Sequence, residues 1–172
     1  MVRTNAANGV TVTYFAEADA GGTNHTRALR VDNATCTADG IPSTSNTDQC
    51  FNSQGSTQGT FTAGTERFGL TVAGVNCGST TSYTCTFASG AYNLTRNANY
   101  DGDGTNTYQT GTTNGFAWEE SATAQAIASS TASGTKVVDD ETLILKFAAT
   151  SNITTPTGLY GVTSTYIATS SF

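Results

Sequence analysis

Apolar and polar residues alternate along several short runs of this 172-residue chain. Residues 9–18 (GVTVTYFAEA) set Val10, Val12, Tyr14 and Ala16 on one face and Thr11, Thr13, Phe15 and Glu17 on the other. A period of two marks a half-buried strand, because successive side chains leave a pleated backbone on opposite sides. Residues 25–32 resume it with Arg27, Leu29 and Val31, residues 67–75 with Phe68, Leu70 and Val72, and residues 83–87 with Tyr83, Cys85 and Phe87. Shorter strand-like runs fall at 59–63 and 91–95. Near the end, residues 142–150 place Leu143, Leu145 and Phe147 opposite Ile144 and Lys146. Residues 159–167 then set Tyr160, Val162, Ser164 and Tyr166 against Leu159, Gly161, Thr163, Thr165 and Ile167. Joined through Pro156-Thr157-Gly158, these two runs are expected to form an antiparallel pair that closes the fold.

Only residues 121–131, rich in Ala, offer a helix, and their Ser, Thr and Ile content suits strand or loop as well. Asp139-Asp140-Glu141 reads as a solvated acidic turn that discourages edge-to-edge association. With turn signals between the runs, the pattern predicts an all-β fold: a β-sandwich or jelly roll of about 8–10 short antiparallel strands, with at most one short helix. The length suits a single domain over residues 1–172.

Composition narrows the partners. Fifty residues are Ser or Thr and 18 are Gly, a mixture that favours strands and turns over helix. The seven Tyr and eight Phe supply a core that a disordered chain of similar polarity would lack. The net charge is −6, and the two lysines and five arginines are scattered, so no basic patch is available for nucleic acid. No apolar run is long enough for a membrane-spanning helix. Met1 is followed by Val-Arg-Thr-Asn rather than an apolar signal core, so an export signal would lie upstream or have been removed.

Four cysteines, Cys36, Cys50, Cys77 and Cys85, occur without a C-x-x-C spacing, and His25 is the one histidine. That set suits disulfides in an oxidising compartment better than zinc. Three connectivities are open. Cys36–Cys50 with Cys77–Cys85 is favoured, because each closes a short polar loop, contributing about 2–3 kcal/mol per bridge.

Candidate chemistry is sparse. Asp101 and Asp103 on the Gly-rich run DGDGTN are candidate calcium ligands, although Thr105 and Thr112 stand where an EF-hand loop would carry ligands; Asp-Gly is also common hairpin-turn chemistry. Beyond calcium, no cofactor is implied. Trp118-Glu119-Glu120 resembles a sugar platform beside paired carboxylates, but adjacent strand residues point to opposite faces, so an interior Trp is the expected role. No G-x-S-x-G elbow accompanies His25. Sequons at Asn24, Asn33, Asn93 and Asn152 match what this Asn- and Thr-rich composition produces by chance. Lys146 leaves the apolar face of its run, which disfavours an isopeptide crosslink.

The late pattern KFAAT…TPTGLY, with Pro156, Gly158 and Tyr160 opening the last alternating run, resembles secreted bacterial Ig-like and pilin-like β-sandwich modules. The stretch from TNAANGVTVTYFAE through the cysteine loops resembles surface proteins of uncultured bacteria that carry no assigned activity. The resemblance implies a non-enzymatic, extracellular or cell-surface structural role. One version is a subunit of a filament, pilus or surface layer assembled with like subunits by β-strand addition. Val10, Val12 and Tyr14 near the start and Tyr160, Val162 and Tyr166 near the end are the strand-exchange candidates. The alternative is an adhesion module, calcium-stabilised or not, that binds a glycan or partner through loops 37–49 and 97–114.

Overall fold

A computed structural model of the chain describes residues 1–16, 29–31, 50–77, 93–102, 115–120, 123–131 and 137–172. All regular structure among them is β-strand. The strands run in chain order as β1 (Val2–Thr4), β2 (Val10–Ala16), β3 (Leu29–Val31), β4 (Cys50–Phe51), β5 (Gly55–Gly59) and β6 (Arg67–Cys77). Then follow β7 (Thr95–Arg96), β8 (Phe116–Trp118), β9 (Gln125–Ser129), β10 (Val138–Thr150), β11 (Tyr160–Gly161) and β12 (Ser164–Ser170). The chain is all-β, as its alternation predicts.

Two main sheets make a sandwich-like core. One has the order β1-β10-β6-β8-β5, the other β12-β2-β9-β7, and a small third sheet is β11-β3-β4. All pairings between these strands are antiparallel. β2 shows strict alternation in the fold, with Val10, Val12, Tyr14 and Ala16 buried and the residues between them half-buried. Those four meet Leu70 and Val72 of β6, Trp118 of β8 and Ile127 of β9 in one buried apolar cluster. Tyr14 joins the main sheets, its ring 5.1 Å from that of Trp118 and 5.6 Å edge-on from Tyr100. Phe68 caps the other side of Trp118 at 4.8 Å. Each fully buried side chain of this size contributes roughly 1.5–3 kcal/mol by leaving water, so the aromatic cluster is the main cohesive element.

Several expectations are corrected. The two late alternating runs do not pair with each other. β10 lies along β6 from Glu141↔Cys77 to Thr150↔Arg67, whereas β12 lies along β2 from Ser164↔Ala16 to Ser170↔Val10. Residues 151–163 carry the chain from one sheet to the other, touching the third sheet at Tyr160↔Val31 on the way. Each run found its partner by matching a buried face across the sequence, and nothing in the intervening turn required a hairpin. Of the readings left open for residues 121–131, the structure takes strand at Gln125–Ser129 (β9), where small residues fit between β2 and β7. The short run expected at 59–63 is displaced to β5; of the run expected at 91–95, Thr95 opens β7 and residues 91 and 92 lie outside the described residues.

Asp139-Asp140-Glu141 is no turn. It belongs to β10, with Glu141 buried and Asp140 at φ 55°. The Glu141 carboxylate accepts the backbone N–H groups of Asn93 and Leu94, both at 2.8 Å, which compensates for its removal from water. Glu66 is held alike, accepting the Asn52 N–H at 2.8 Å and the Thr155 hydroxyl. Arg3 of β1 donates to Asp139 at 2.7 Å and approaches Asp140 at 3.7 Å. Cys50 is fully buried and disulfide-bonded. Cys36, Cys85 and the Cys77 side chain lie outside what is described, and the expected pairings with them.

Candidate functional site: an open sheet edge beside an apolar cleft

β12 is an edge strand, flanked by β2 on one side and by no described strand on the other. Its pairing with β2 runs through seven consecutive residues without a bulge. Directly opposed residues in an antiparallel pair share a face, so Tyr166, opposite Tyr14, and Ala168, opposite Val12, point inward with the core, and Ile167, opposite Thr13, points outward. Inward positions on a sandwich are normally covered. Here Tyr166 is 39% exposed, and Ala168 is exposed too. Ile167 on the outer face is 42% exposed.

The sandwich gapes at this seam. β1 covers β10 only between Val138 and Glu141, and no described strand lies beside Leu143–Leu145 on that side. The result is a cleft of about 230 Å³ between the two main sheets, lined by Met1 and Val2, by Val12, Ile127, Leu143 and Leu145, and by Tyr166, Ile167 and Ala168 of β12. That volume is below the roughly 300 Å³ at which small-molecule sites begin. Among the described residues, no carboxylate, lysine, arginine, histidine or cysteine side chain lines it. Tyr166 accepts a 3.2 Å hydrogen bond from Ser164 and lies 6.2 Å from the Tyr14 ring. Burial pushes its phenol above the ordinary value, partly offset by the Ser164 hydrogen bond, so it stays neutral at physiological pH.

The other described edges are shorter or blunted. β1 has three residues, a register shift and the Arg3–Asp139 ion pair. β5 reads GSTQG, with an irregular register and Gly55 at φ 83°. β4, β7 and β11 have two residues each. Short strands, charges and bulges are the ordinary protections of a sheet edge. β12 has none of them.

The six strand-exchange candidates therefore separate. Val10, Val12 and Tyr14 are buried on β2, whose two sides are occupied by β12 and β9. Tyr160 is half-buried on β11, its ring 5.3 Å from Phe51 and its hydroxyl donating to the Pro156 carbonyl at 2.7 Å. Val162 packs against the core from the connecting segment. Tyr166 alone of the six stands on the long open edge, and the structure adds Ile167 and Ala168 beside it. A signal for them exists in the sequence: no Asp, Glu, Lys or Arg follows Lys146.

Asp101 accepts a 3.3 Å hydrogen bond from Gln58, while Asp103 lies outside the described residues. Among the described residues no three His, Cys, Asp or Glu side chains are grouped to hold a metal ion. Trp118 is a fully buried core residue. His25, loop 37–49 and most of loop 97–114 lie outside the description. Asn93 is buried and its side-chain amide donates to the Val137 carbonyl, so this sequon is closed to a glycosylating enzyme in the folded state. No helix among the described residues is long and apolar enough to cross a membrane. No family model, curated protein or solved structure matches the chain.

Proposed function

We propose that this chain is a non-enzymatic structural subunit of an extracellular filament or surface layer, joined to like chains by β-strand addition. The observation that carries this reading is the β12 edge, a regular strand of seven uncharged residues with apolar positions exposed on both faces. A regular edge that meets no described strand on its outer side is a template for one more strand, and the apolar cleft behind it rewards burial. Two features support the extracellular setting. Cys50 is disulfide-bonded, which suits an oxidising compartment. Only 12% of residues are charged, so few charges oppose close packing of neighbouring chains.

Sedimentation velocity over a concentration series from about 1 μM to 1 mM tests the reading. A sedimentation coefficient that rises with concentration, with assemblies visible by electron microscopy at the upper end, is expected. A chain that sediments as a monomer across the whole range overturns it.

A further inference from the structure

We infer that the strand added at this edge is β12 of a second copy, laid antiparallel about a twofold axis through Ile167; this rests on the strand-addition reading above. β12 reads Ser164-Thr165-Tyr166-Ile167-Ala168-Thr169-Ser170. About Ile167 the strand has the same chemistry in both directions. An antiparallel copy centred there sets Ser164 against Ser170 of the second chain, Thr165 against Thr169, Tyr166 against Ala168, and Ile167 against itself. A twofold contact requires this, because each residue must be acceptable to its symmetry partner.

The faces agree with the pairing. A twofold axis perpendicular to the sheet keeps inward residues inward, so the second copy's Tyr166 comes to lie beside Ala168 at the mouth of the apolar cleft. A large ring opposite a methyl group fills the gap without a clash. On the outer face the two Ile167 side chains meet as a β-branched pair, flanked by Thr–Thr pairs of the kind that favour cross-strand contact. Shifting the centre to Tyr166 would oppose the two rings and set Ile167 against Thr165, which leaves Ala168 beside Ser164 and the mouth open.

Charge selects the same occupant. The chain carries −6, so a contact through an acidic part of its surface brings carboxylates together. Residues 147–172 contain no charged side chain, and none lines the cleft among the described residues. A neutral edge meeting its own copy avoids like-charge repulsion, whereas a basic or acidic partner would find no counter-charge on the side chains of β12. Size sets the strength. Seven residues span roughly 24 Å, and a sheet about 10 Å thick gives a few hundred Å² per chain. That is under the roughly 800 Å² per partner of a standard interface, so the pair is reversible and depends on concentration. A twofold contact closes at two chains, so growth into a filament uses a second contact elsewhere.

Cysteine crosslinking with a charge variant tests the register. There is no free native cysteine among the described residues. Opposed residues in an antiparallel pair have Cα atoms about 4.5–5.5 Å apart, within disulfide range. Ile167→Cys should therefore crosslink to a second copy of itself on mild oxidation. Thr169→Cys should not, since its two copies lie roughly 14 Å apart in this register. Ile167→Lys, on the outer face, should raise the dissociation constant at least tenfold by setting two ammonium groups opposite each other, with the monomer's circular dichroism unchanged. Association that persists while Ile167→Cys fails to crosslink overturns the twofold pairing and leaves strand addition standing. A chain that never associates overturns both.

Discussion

The hydroxyl groups of Tyr14 and Tyr100 meet 3.2 Å apart inside the core, one donating to the other, and the Tyr14 oxygen also accepts the Glu119 backbone N–H at 2.9 Å. This small polar network joins β2 to the end of β8 and to the segment that carries Tyr100. Tyr14→Phe withdraws the acceptor from Glu119 and the partner from Tyr100, and is expected to cost about 1–3 kcal/mol in urea unfolding. Tyr100→Phe removes a single partner and should cost about 0.5–1.5 kcal/mol. Summed single effects that match the double variant would show that the hydroxyls are not coupled.

Alkaline stability follows from the same pair. Burial, with the neighbouring Tyr100 adding to it, pushes the Tyr14 phenol far above its ordinary value of 10.0, and burial also raises Tyr100 and Tyr166. A raised value in the folded state means that the folded protein holds the proton more tightly than the unfolded chain. The contribution is therefore fully present below about pH 10 and is lost as pH rises beyond it. Tyrosinate absorbance from the buried rings should appear together with loss of the β-sheet circular dichroism signal. All seven tyrosines titrating reversibly near pH 10 in a folded chain would contradict this burial.

Much of the fold is legible in local periodicity, and the pairing is not. Val10, Val12 and Tyr14 are assigned to a buried face by alternation, and they occupy one. The same alternation in β10 and β12 suggests a hairpin, yet their partners are β6 and β2, chosen by packing across two sheets. Glu141 reads as solvated because a lone carboxylate is costly to bury, and the two backbone amides that donate to it come from residues 48 and 47 positions away. At the candidate site, the uncharged STYIATS run is visible in the sequence. That it forms an edge emerges only from the sheet order.

Glu141 is expected to be a stability residue despite its charge. Glu141→Gln keeps the shape but offers one carbonyl oxygen to one of the Asn93 and Leu94 donors and sets an N–H₂ against the other, so one bond is lost and the remaining one is no longer charge-assisted. Hydrogen bonds to a charged group contribute about 1.5–3 kcal/mol, and a loss of that size should appear in the urea midpoint. Glu141→Ala leaves both donors without this acceptor and should destabilise further. A neutral result for both variants would mean that water takes the place of the carboxylate.

Two glycines should respond to alanine for different reasons. At Gly102 an added Cβ would stand 2.2 Å from the Gly115 carbonyl oxygen and 2.9 Å from its nitrogen, both backbone atoms. Neither can swing aside, so Gly102→Ala must separate two chain segments beside Thr71, whose hydroxyl donates to the Tyr100 carbonyl at 3.1 Å. Overpacking of this kind costs about 1–3 kcal/mol, with the higher figure expected where backbone is the obstacle. At Gly64 the space is open but φ is +84°, so the cost there is conformational, about 1–2 kcal/mol for alanine. Asn tolerates that backbone region better than Ala, so Gly64→Asn should recover part of the loss. Gly102→Asn should recover none, because a larger side chain meets the same carbonyl. Thermal denaturation of the four variants separates the two causes, and a recovery at Gly102 would show that the clash is relieved by movement of the Gly115 segment.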